Sequence, residues 1–374
     1  MVKTVCLIAG EKSGDLIGSK IINKIKRSHS DVNFIGVGGE LMKKEGIKTL
    51  FPMEELSIMG ITEVLPKIYG LMKRIKETAE FILKNKPDIV ITVDSPDFNF
   101  RVMKIVKKFD SNNLIKKVHF IAPSVWAYRK NRAKKIAKIY DLLFCILPFE
   151  PPYFEKYGLK SVFVGHPIFD GITYKNSLYN FNSNIISITL GSRMSEVKKH
   201  LPIIKNVIKN LPNNDFFILA TDNTANYIRR NITNVKIISE VRKKSEIIRK
   251  SKLVIAKSGT NNLEIASLGV PMVVYYKFGF ITNLLLSLIR KKADRNFANL
   301  INIINNKRII PEVLLFDCTS DNIITEVNHL LNNKKLCLNQ IKQNIDTVKI
   351  LGYNSNASLI DKIFEEINGM LYEQ

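Results

Sequence analysis

The sequence lacks clustered cysteines and long apolar runs. Its four cysteines, Cys6, Cys145, Cys318 and Cys337, are widely scattered, and no C-x-x-C pair occurs. That pattern argues against a zinc site and a disulfide framework, and it fits a reducing compartment. No run of 18 apolar residues occurs, so the sequence predicts no membrane span. The opening "MVKTVCLIAG" is too short an apolar run for a signal peptide, and we expect a strand there instead.

Acidic residues are few relative to basic ones. The 374 residues include 57 Lys and Arg against 34 Asp and Glu, a formal net charge of +23. Such a charge favours nucleic acid, anionic lipid or phosphorylated substrates as partners, although an AT-rich genome would also enrich lysine. No RNP, KH or helix-turn-helix pattern is evident, so we expect no nucleic-acid partner.

Short apolar runs alternate with amphipathic stretches in two series. In the first, runs such as "DIVITV" read as buried parallel strands, with helices predicted at 15–28, 66–85, 99–110 and 129–139. After the polar stretch 171–184 the same alternation resumes. The pattern predicts an α/β protein with two Rossmann-like doubly wound domains that face a cleft.

The domain boundaries follow from that alternation. We expect an N-terminal domain over residues 1–176, a C-terminal domain over 184–350, and a final helix within 351–374 whose docking stays open. In doubly wound sheets the ligand site lies at the carboxyl ends of the strands. Polar motifs follow the predicted strands in both halves, so these motifs are the candidate site.

Two motifs of the first half carry acidic residues. In "AGEKSGD" the glycines allow close approach to a ligand, and Glu11, Ser13 and Asp15 either bind substrate or cap the next helix. In "DSPDFNF" Asp94 and Asp97 flank a proline. This motif is either a strand-ending turn with a helix cap or the location of a catalytic base.

Two further motifs of the first half follow strands. "APSVWAYRKNR" brings Ser124, the single tryptophan Trp126 and the basic Arg129 together, either as a binding turn or as a solvated face with one packed aromatic. "GHP" contains His166 near the expected domain hinge, where a histidine is either structural or functional.

The motif "TLGSRMSEV" opens the candidate nucleotide side. Arg193 offers a planar fork of donors to phosphate, and Glu196 lies on the next helical turn. No D-x-D pair occurs at a strand end, so we expect no metal and no cofactor. Helix dipole and arginine would then stabilise a departing nucleotide.

The motif "KSGTNNLE" follows a later strand. Ser258, Gly259 and Thr260 precede a helix, so their N–H groups are placed to bind a diphosphate. Glu264, on the same helix face as Thr260, could accept both hydroxyls of a ribose. The alternative is an ordinary N-cap with a buried glutamate, which is uncommon without a partner.

Together, these segments with "LPFE", "VGHP" and "PMVVYY" resemble the lipid-A-disaccharide synthase family over about residues 1–315, in order and at family-like spacing. The resemblance implies an inverting glycosyltransferase of the B-type fold that needs no metal or cofactor. Its substrates would be UDP-2,3-diacylglucosamine and 2,3-diacylglucosamine 1-phosphate, and UDP would be released. It would lie in the cytoplasm of a Gram-negative bacterium, peripherally associated with the anionic inner-membrane surface, and it could be an oligomer.

The resemblance also assigns residues. It makes Asp97 the general base and leaves Asp94 to support the turn. Asn299 is kept as a substrate contact, although Ala298 stands where the family often has proline, and Asn261 and Asn262 stand where small residues are common. The donor side carries over at Arg193, Glu196, Ser258, Gly259, Thr260 and Glu264.

Two alternatives stay open from the sequence alone. One is an enzyme like UDP-N-acetylglucosamine 2-epimerase on the same fold, and the other is a non-catalytic basic protein that binds membrane or nucleic acid. Two amphipathic segments, 58–84 and 280–292, fit either core helices or interfacial membrane contacts. We expect the first to face the membrane.

Overall fold

The chain folds into two compact units, Met1–Gly171 with Ser355–Gln374, and Ile172–Asn354. Each unit is built on one parallel sheet. The computed structural model describes residues 2–56, 61–127, 129–170, 179–279 and 297–372, without the side chains of 61–69.

The first sheet has seven strands in the order β3-β2-β1-β4-β5-β6-β7, and each neighbouring pair is parallel. The central strands are mostly apolar because helices cover both faces of the sheet; all five residues of β4 are buried. The strands are β1 (Lys3–Ala9), β2 (Val32–Val37), β3 (Lys48–Thr49), β4 (Ile89–Val93), β5 (Lys116–Phe120), β6 (Leu142–Cys145) and β7 (Lys160–Phe163).

The second sheet has six strands in the order β10-β9-β8-β11-β12-β13, again with parallel neighbours. In each sheet the order of the strands changes direction beside the strand that comes first in the sequence. This point lies between β1 and β4 in the first sheet and between β8 and β11 in the second. Ligands of doubly wound sheets bind at such switch points. The strands are β8 (Ile185–Thr189), β9 (Asp215–Leu219), β10 (Lys236–Ile238), β11 (Leu253–Lys257), β12 (Met272–Tyr276) and β13 (Glu312–Leu314).

The helices alternate with the strands. α1 presents an apolar stripe to the first sheet, with Ile17, Ile21 and Ile25 buried along one face. The described helices are α1 (Lys12–Ser28), α2 (Glu40–Lys44), α3 (Ile61–Asn85), α4 (Pro96–Phe109), α5 (Arg132–Ala137), α6 (Pro152–Glu155), α7 (Met194–Lys209), α8 (Asp222–Asn231), α9 (Val241–Lys250), α10 (Asn261–Ser267), α11 (Leu300–Asn305), α12 (Ser320–Leu331), α13 (Lys334–Ile350) and α14 (Leu359–Tyr372).

The final helix, α14, packs on the first unit. Asp361 pairs with Lys24 at 2.7 Å, and the Asn368 Oδ1 lies 2.6 Å from His29 Nε2. Tyr372 stacks on the His29 ring with the centroids 4.2 Å apart. The chain therefore returns to α1 after the second unit, which resolves the docking that the sequence left open.

The predicted α/β fold with two doubly wound sheets is confirmed. The expected helices at 15–28 and 99–110 correspond to α1 and α4. Each observed helix begins three residues earlier than expected, at Lys12 and Pro96. Among the described residues, none of the helices is both long and apolar enough to cross a bilayer.

The segment 58–84 falls mostly on α3, and the second half of this helix is core. Ile75, Ala79 and Ile82 are buried, and Leu71 packs partly against the same core. Met72, in contrast, is 48% exposed. The other candidate segment, 280–292, lies outside the described residues.

Candidate active site

The first switch point brings Gly10 against the "DSPD" turn. A Cβ on Gly10 would lie 2.4 Å from Ser95 Oγ, so only glycine fits where β1 ends. The turn itself is strained, because Asp94 and Ser95 both have left-handed backbones, with φ of 51° and 43°. The buried Asn99 holds it, since Asn99 Nδ2 donates to the Asp94 carbonyl at 2.7 Å.

The two aspartates of this turn have opposite environments. Asp94 is half-buried, and burial raises the pKa of its carboxyl, partly offset by a hydrogen bond from the Ser95 backbone. Asp97, on the first turn of α4, has a side chain 78% exposed and paired with Arg132 at 2.7 Å. The Arg132 guanidinium in turn lies 4.9 Å from the centre of the Phe100 ring. The sequence motif therefore contains one desolvated carboxylate and one solvated, ion-paired carboxylate.

The loop that contains "APSVWA" is anchored by buried side chains. Trp126 is 6% exposed, and its indole Nε1 donates to Glu150 Oε1 at 3.2 Å. The other oxygen of the buried Glu150 accepts the backbone N–H of Ile146 and Leu147. Burial raises the pKa of Glu150 to about 7. In the structure Trp126 anchors the loop, and its predicted contact with substrate stays a prediction.

Ser124 and Arg129 lie on the exposed side of that loop, and Arg129 has a left-handed backbone with φ of 57°. Glu11 and Ser13 are exposed at the start of α1. All four stay predicted substrate contacts at the carboxyl edge of the first sheet.

Asp15 and His166 have internal partners instead. The buried Asp15 carboxylate accepts backbone N–H groups of Gly39, Leu41 and Met42 at 2.9 to 3.0 Å, so it caps α2 rather than α1. His166 Nδ1 accepts the Ile168 N–H, and burial lowers the pKa of its imidazole to about 4. Because the imidazole is neutral and accepts this hydrogen bond, His166 can be buried without contacting a substrate.

The second unit contains a pocket of about 420 Å³ at its switch point. The pocket lies where β8, β9 and β11 end. Thr189 Oγ1 joins two of these elements by accepting the Lys257 N–H at 2.9 Å and Asn261 Nδ2 at 3.4 Å. Its lining comprises Thr189, Gly191, Ser192, Leu219, Thr221, Val241, Lys244, Ile248, Lys257, Gly259, Thr260, Asn261, Glu264 and Ile265.

Three of the predicted donor residues, Gly259, Thr260 and Glu264, line this pocket. Burial raises the pKa of the Glu264 carboxyl, and the positive charge of Lys244 partly offsets the rise. Ser258 is not among the lining residues, and its N–H donates to the Tyr275 carbonyl. Arg193 is exposed at the cap of α7, directly after the lining residue Ser192.

Glu196 does not line the pocket but supports one of its walls. It is 9% exposed, and its Oε1 accepts Lys257 Nζ at 2.9 Å and Tyr276 Oη at 3.3 Å. Burial would raise the pKa of Glu196, but the hydrogen bond and charge of Lys257 hold it below its usual value. A Cβ on Gly191 would lie 2.4 Å from Glu196 Oε2, so glycine is needed beside it.

Asn299 is buried at the cap of α11, where its Oδ1 accepts the Ile301 N–H at 2.8 Å. Its own backbone N–H donates to Glu312 Oε1 at 2.8 Å. These contacts give Asn299 a local structural role, and it is not among the residues that line the pocket.

Sequence reasoning missed several charged residues of both sites. Lys257 ends a strand and Lys244 lies on a helix rich in basic residues, so neither stands out from neighbouring lysines. Glu150 is the last residue of the motif "LPFE", and the sequence alone indicates no separate role for it. Arg132 lies in the "APSVWAYRKNR" motif, but its partner Asp97 lies 35 residues earlier in the chain.

Comparison with known proteins identifies the family. The family model for lipid-A-disaccharide synthetase matches residues 5–365. The lipid-A-disaccharide synthase of Rickettsia prowazekii (strain Madrid E) is 38% identical over 375 residues, which cover 96% of each chain. That of Rickettsia bellii (strain OSU 85-389) is 39% identical over 372 residues, 95% of this chain and 96% of the other.

Solved structures show the same fold at low identity. A UDP-GlcNAc 2-epimerase from Neisseria meningitidis bound to UDP-GlcNAc has a TM-score of 0.60 at 16% identity, covering 98% of this chain and 99% of the other. MurG from Acinetobacter baumannii has a TM-score of 0.57 at 12% identity, with the same coverage. Both support the glycosyltransferase B-type fold, and the family assignment rests on the sequence relatives. The chain therefore belongs to the lipid-A-disaccharide synthase family and is a glycosyltransferase that forms the disaccharide of lipid A.

Proposed function

We propose that the protein joins UDP-2,3-diacylglucosamine to 2,3-diacylglucosamine 1-phosphate. The 6-hydroxyl oxygen of the acceptor attacks the anomeric carbon of the donor from the face opposite UDP. The bond from that carbon to the β-phosphate oxygen breaks, its electron pair stays on UDP, and the hydroxyl proton passes to a carboxylate. One attack inverts the anomeric configuration. Family membership supports the substrates.

The pocket of the second unit is the observation that carries the donor assignment. Its volume of about 420 Å³ falls in the range of small-molecule sites. It combines a glycine-containing turn at Gly259 and Thr260 with a half-buried acceptor, Glu264, and an apolar wall that includes Leu219 and Ile248. These groups suit a diphosphate, a ribose and a pyrimidine ring, respectively.

For the base, we favour Asp94 over the predicted Asp97. A general base works best when its pKa lies near the working pH, and desolvation raises the pKa of Asp94 toward that range. Asp97 already accepts a charged hydrogen bond from Arg132, which it would have to exchange before taking a proton. In this assignment Asp97, in the first turn of α4, orients Arg132 at the start of α5.

The acyl chains of both substrates require contact with a bilayer surface. We place that contact at the anionic inner-membrane leaflet of a Gram-negative cell, with the protein otherwise in the cytoplasm. The net charge of +23 supports attraction to anionic headgroups. On α3, the exposed Met72 beside Lys73 and Lys76 has the composition of an interfacial patch.

The testing experiment is a coupled assay of UDP release with both lipid substrates present. UDP and a disaccharide phosphate should form in equal amounts, and neither should form when the acceptor is omitted. An epimerase would instead convert the UDP-sugar without any acceptor, so this omission separates the two enzymes that the sequence left open.

A further inference from the structure

Lys257 stands out in the donor pocket because it is a charged residue that the fold fixes in place. It ends β11, and its N–H is tied to Thr189 of the neighbouring strand at 2.9 Å. Its side chain is only 17% exposed, yet it belongs to the pocket lining. A lysine without a function would normally extend its ammonium group into water.

Glu196 holds the ammonium group at the pocket wall. Nζ lies 2.9 Å from Glu196 Oε1 and 5.1 Å from the centre of the Tyr276 ring. The Tyr276 hydroxyl donates to the same Glu196 oxygen. Carboxylate, hydroxyl and ring therefore fix one position for the cation, and such pre-organisation reduces the entropy lost when a ligand binds.

The ammonium group retains capacity to bind an anion. An ammonium has three hydrogens to donate, and among the described residues Glu196 Oε1 is its one acceptor. The Gly259 turn is adjacent, where an added Cβ would lie 3.7 Å from Nζ. The cation thus lies beside the turn whose backbone N–H groups are suited to phosphate.

The pocket also carries a negative group, Glu264, which is half-buried and near Lys244. An anionic phosphate is repelled by a carboxylate, whereas ribose hydroxyls donate to one. The charges of the lining therefore favour one orientation for a nucleotide, with its phosphates toward Lys257 and its ribose toward Glu264.

We propose that Lys257, held by Glu196 and Tyr276, is a further residue that binds the diphosphate of the nucleotide donor. Glu196 is then a positioning residue that acts through Lys257 and does not touch the nucleotide. This inference rests on the proposed function, because it takes a uridine diphosphate as the ligand of the pocket.

The test compares UDP with uridine by calorimetric titration of the full-length protein. Lys257→Met keeps the length and apolar stem of the side chain and removes its charge. UDP affinity should fall about tenfold to a hundredfold, as expected for the loss of a hydrogen bond to a charged group. Uridine affinity should change less than twofold, because uridine has no phosphate. Lys257→Arg should restore most of the UDP affinity.

Two controls keep the result decisive. Lys250→Met removes an exposed, ion-paired lysine of the same unit and should leave both affinities unchanged. If Lys257→Met does not fold because Glu196 loses its partner, Lys257→Met combined with Glu196→Gln removes the unpaired buried charge and is measured instead.

Equal losses of UDP and uridine affinity, or unchanged UDP affinity, would overturn the role of Lys257. Failure of the unmodified protein to bind UDP would instead contradict the proposed function, so the two failures are distinguishable.

Discussion

Asp97 pairs with Arg132, with 2.7 Å between Oδ1 and Nη2, although 35 residues separate them in the chain. The pair joins the first turn of α4 to the start of α5 at the carboxyl edge of the first sheet. Arg132 also lies over the Phe100 ring, so its position is fixed from two sides. The exposed carboxylate of the "DSPD" turn is therefore ion-paired, and we propose the half-buried Asp94 as the base.

Replacing each aspartate by asparagine separates these roles. Asp94→Asn should lower turnover by roughly 10²-fold or more, because the acceptor hydroxyl loses its general base. Asp97→Asn should lower turnover less, because it weakens only the contact with Arg132. UDP release under saturating substrates measures both. Near-normal turnover for Asp94→Asn together with a large loss for Asp97→Asn would return the base to Asp97, as the sequence predicts.

Replacing Arg193 tests the proposed nucleotide-binding site. Its guanidinium fork can bind two phosphate oxygens, which a lysine ammonium cannot reproduce. Arg193→Lys should therefore weaken UDP binding measurably in a titration, although the charge is kept. The matched variant Arg230→Lys, at an exposed position on α8, should bind UDP normally. Identical UDP affinities for the two variants would remove Arg193 from the site.

Gly191 should be irreplaceable for two separable reasons. Its φ of +113° disfavours any side chain, and an added Cβ would collide with Glu196. Gly191→Ala should lower both thermal stability and UDP affinity. Gly352→Ala, with φ of +103° and open space around it, isolates the backbone effect and should cost roughly 1–2 kcal/mol without changing UDP binding. Normal UDP binding by Gly191→Ala would show that the Glu196 wall tolerates displacement.

Glu150 should make stability depend on pH. Its pKa is about 7 in the folded protein against an ordinary 4.5, so between these values the folded state retains a proton that the unfolded chain has lost. The free energy of unfolding therefore falls as pH rises from about 4.5 to about 7, by something on the order of 3 kcal/mol.

Glu150→Gln removes that dependence, so the variant should gain stability relative to the unmodified protein as pH rises through this window. The free energy of unfolding is measured by urea titration, with the fluorescence of Trp126 as the signal. Trp126 is the single tryptophan and contacts Glu150, so the signal reports on the surroundings of Glu150. The exposed Glu54→Gln serves as control. Parallel pH profiles for Glu150→Gln and the unmodified protein would contradict the desolvation of Glu150.

The membrane patch is tested on α3. Met72→Ser combined with Lys73→Gln should weaken binding to anionic vesicles in a co-sedimentation assay, and added salt should weaken binding of the unmodified protein. Melting temperature should change little, since Met72 is 48% exposed. Leu338→Ser, at an equally exposed position of the other unit, is the matched control. Unchanged vesicle binding by the α3 variant would place the membrane contact elsewhere.

The sequence predicted the fold well because both sheets are parallel and buried, which produces continuous apolar runs such as β4 and β8. It did not predict β3 or β13, which have only two and three residues and thus no readable period. The return of α14 to the first unit depends on side-chain contacts of His29 with Asn368 and Tyr372, which no local pattern reveals.

Prediction of the site was less complete. Glycine-containing turns after strands located both switch points, and Gly259, Thr260 and Glu264 do line the pocket. The roles of Trp126, Asp15 and His166 could not be read from sequence, because a polar side chain that binds a ligand and one that anchors a loop or caps a helix occupy the same motif position. Burial and partners decide between them, and both are tertiary properties.

The most direct test of the account is single-turnover UDP release by the purified protein with UDP-2,3-diacylglucosamine and 2,3-diacylglucosamine 1-phosphate in mixed micelles. The account predicts one UDP and one disaccharide phosphate per donor consumed, with a glycosidic linkage inverted relative to the donor and with product formation strongly reduced in Asp94→Asn. UDP release without the acceptor, or a product that retains the donor configuration, would contradict it.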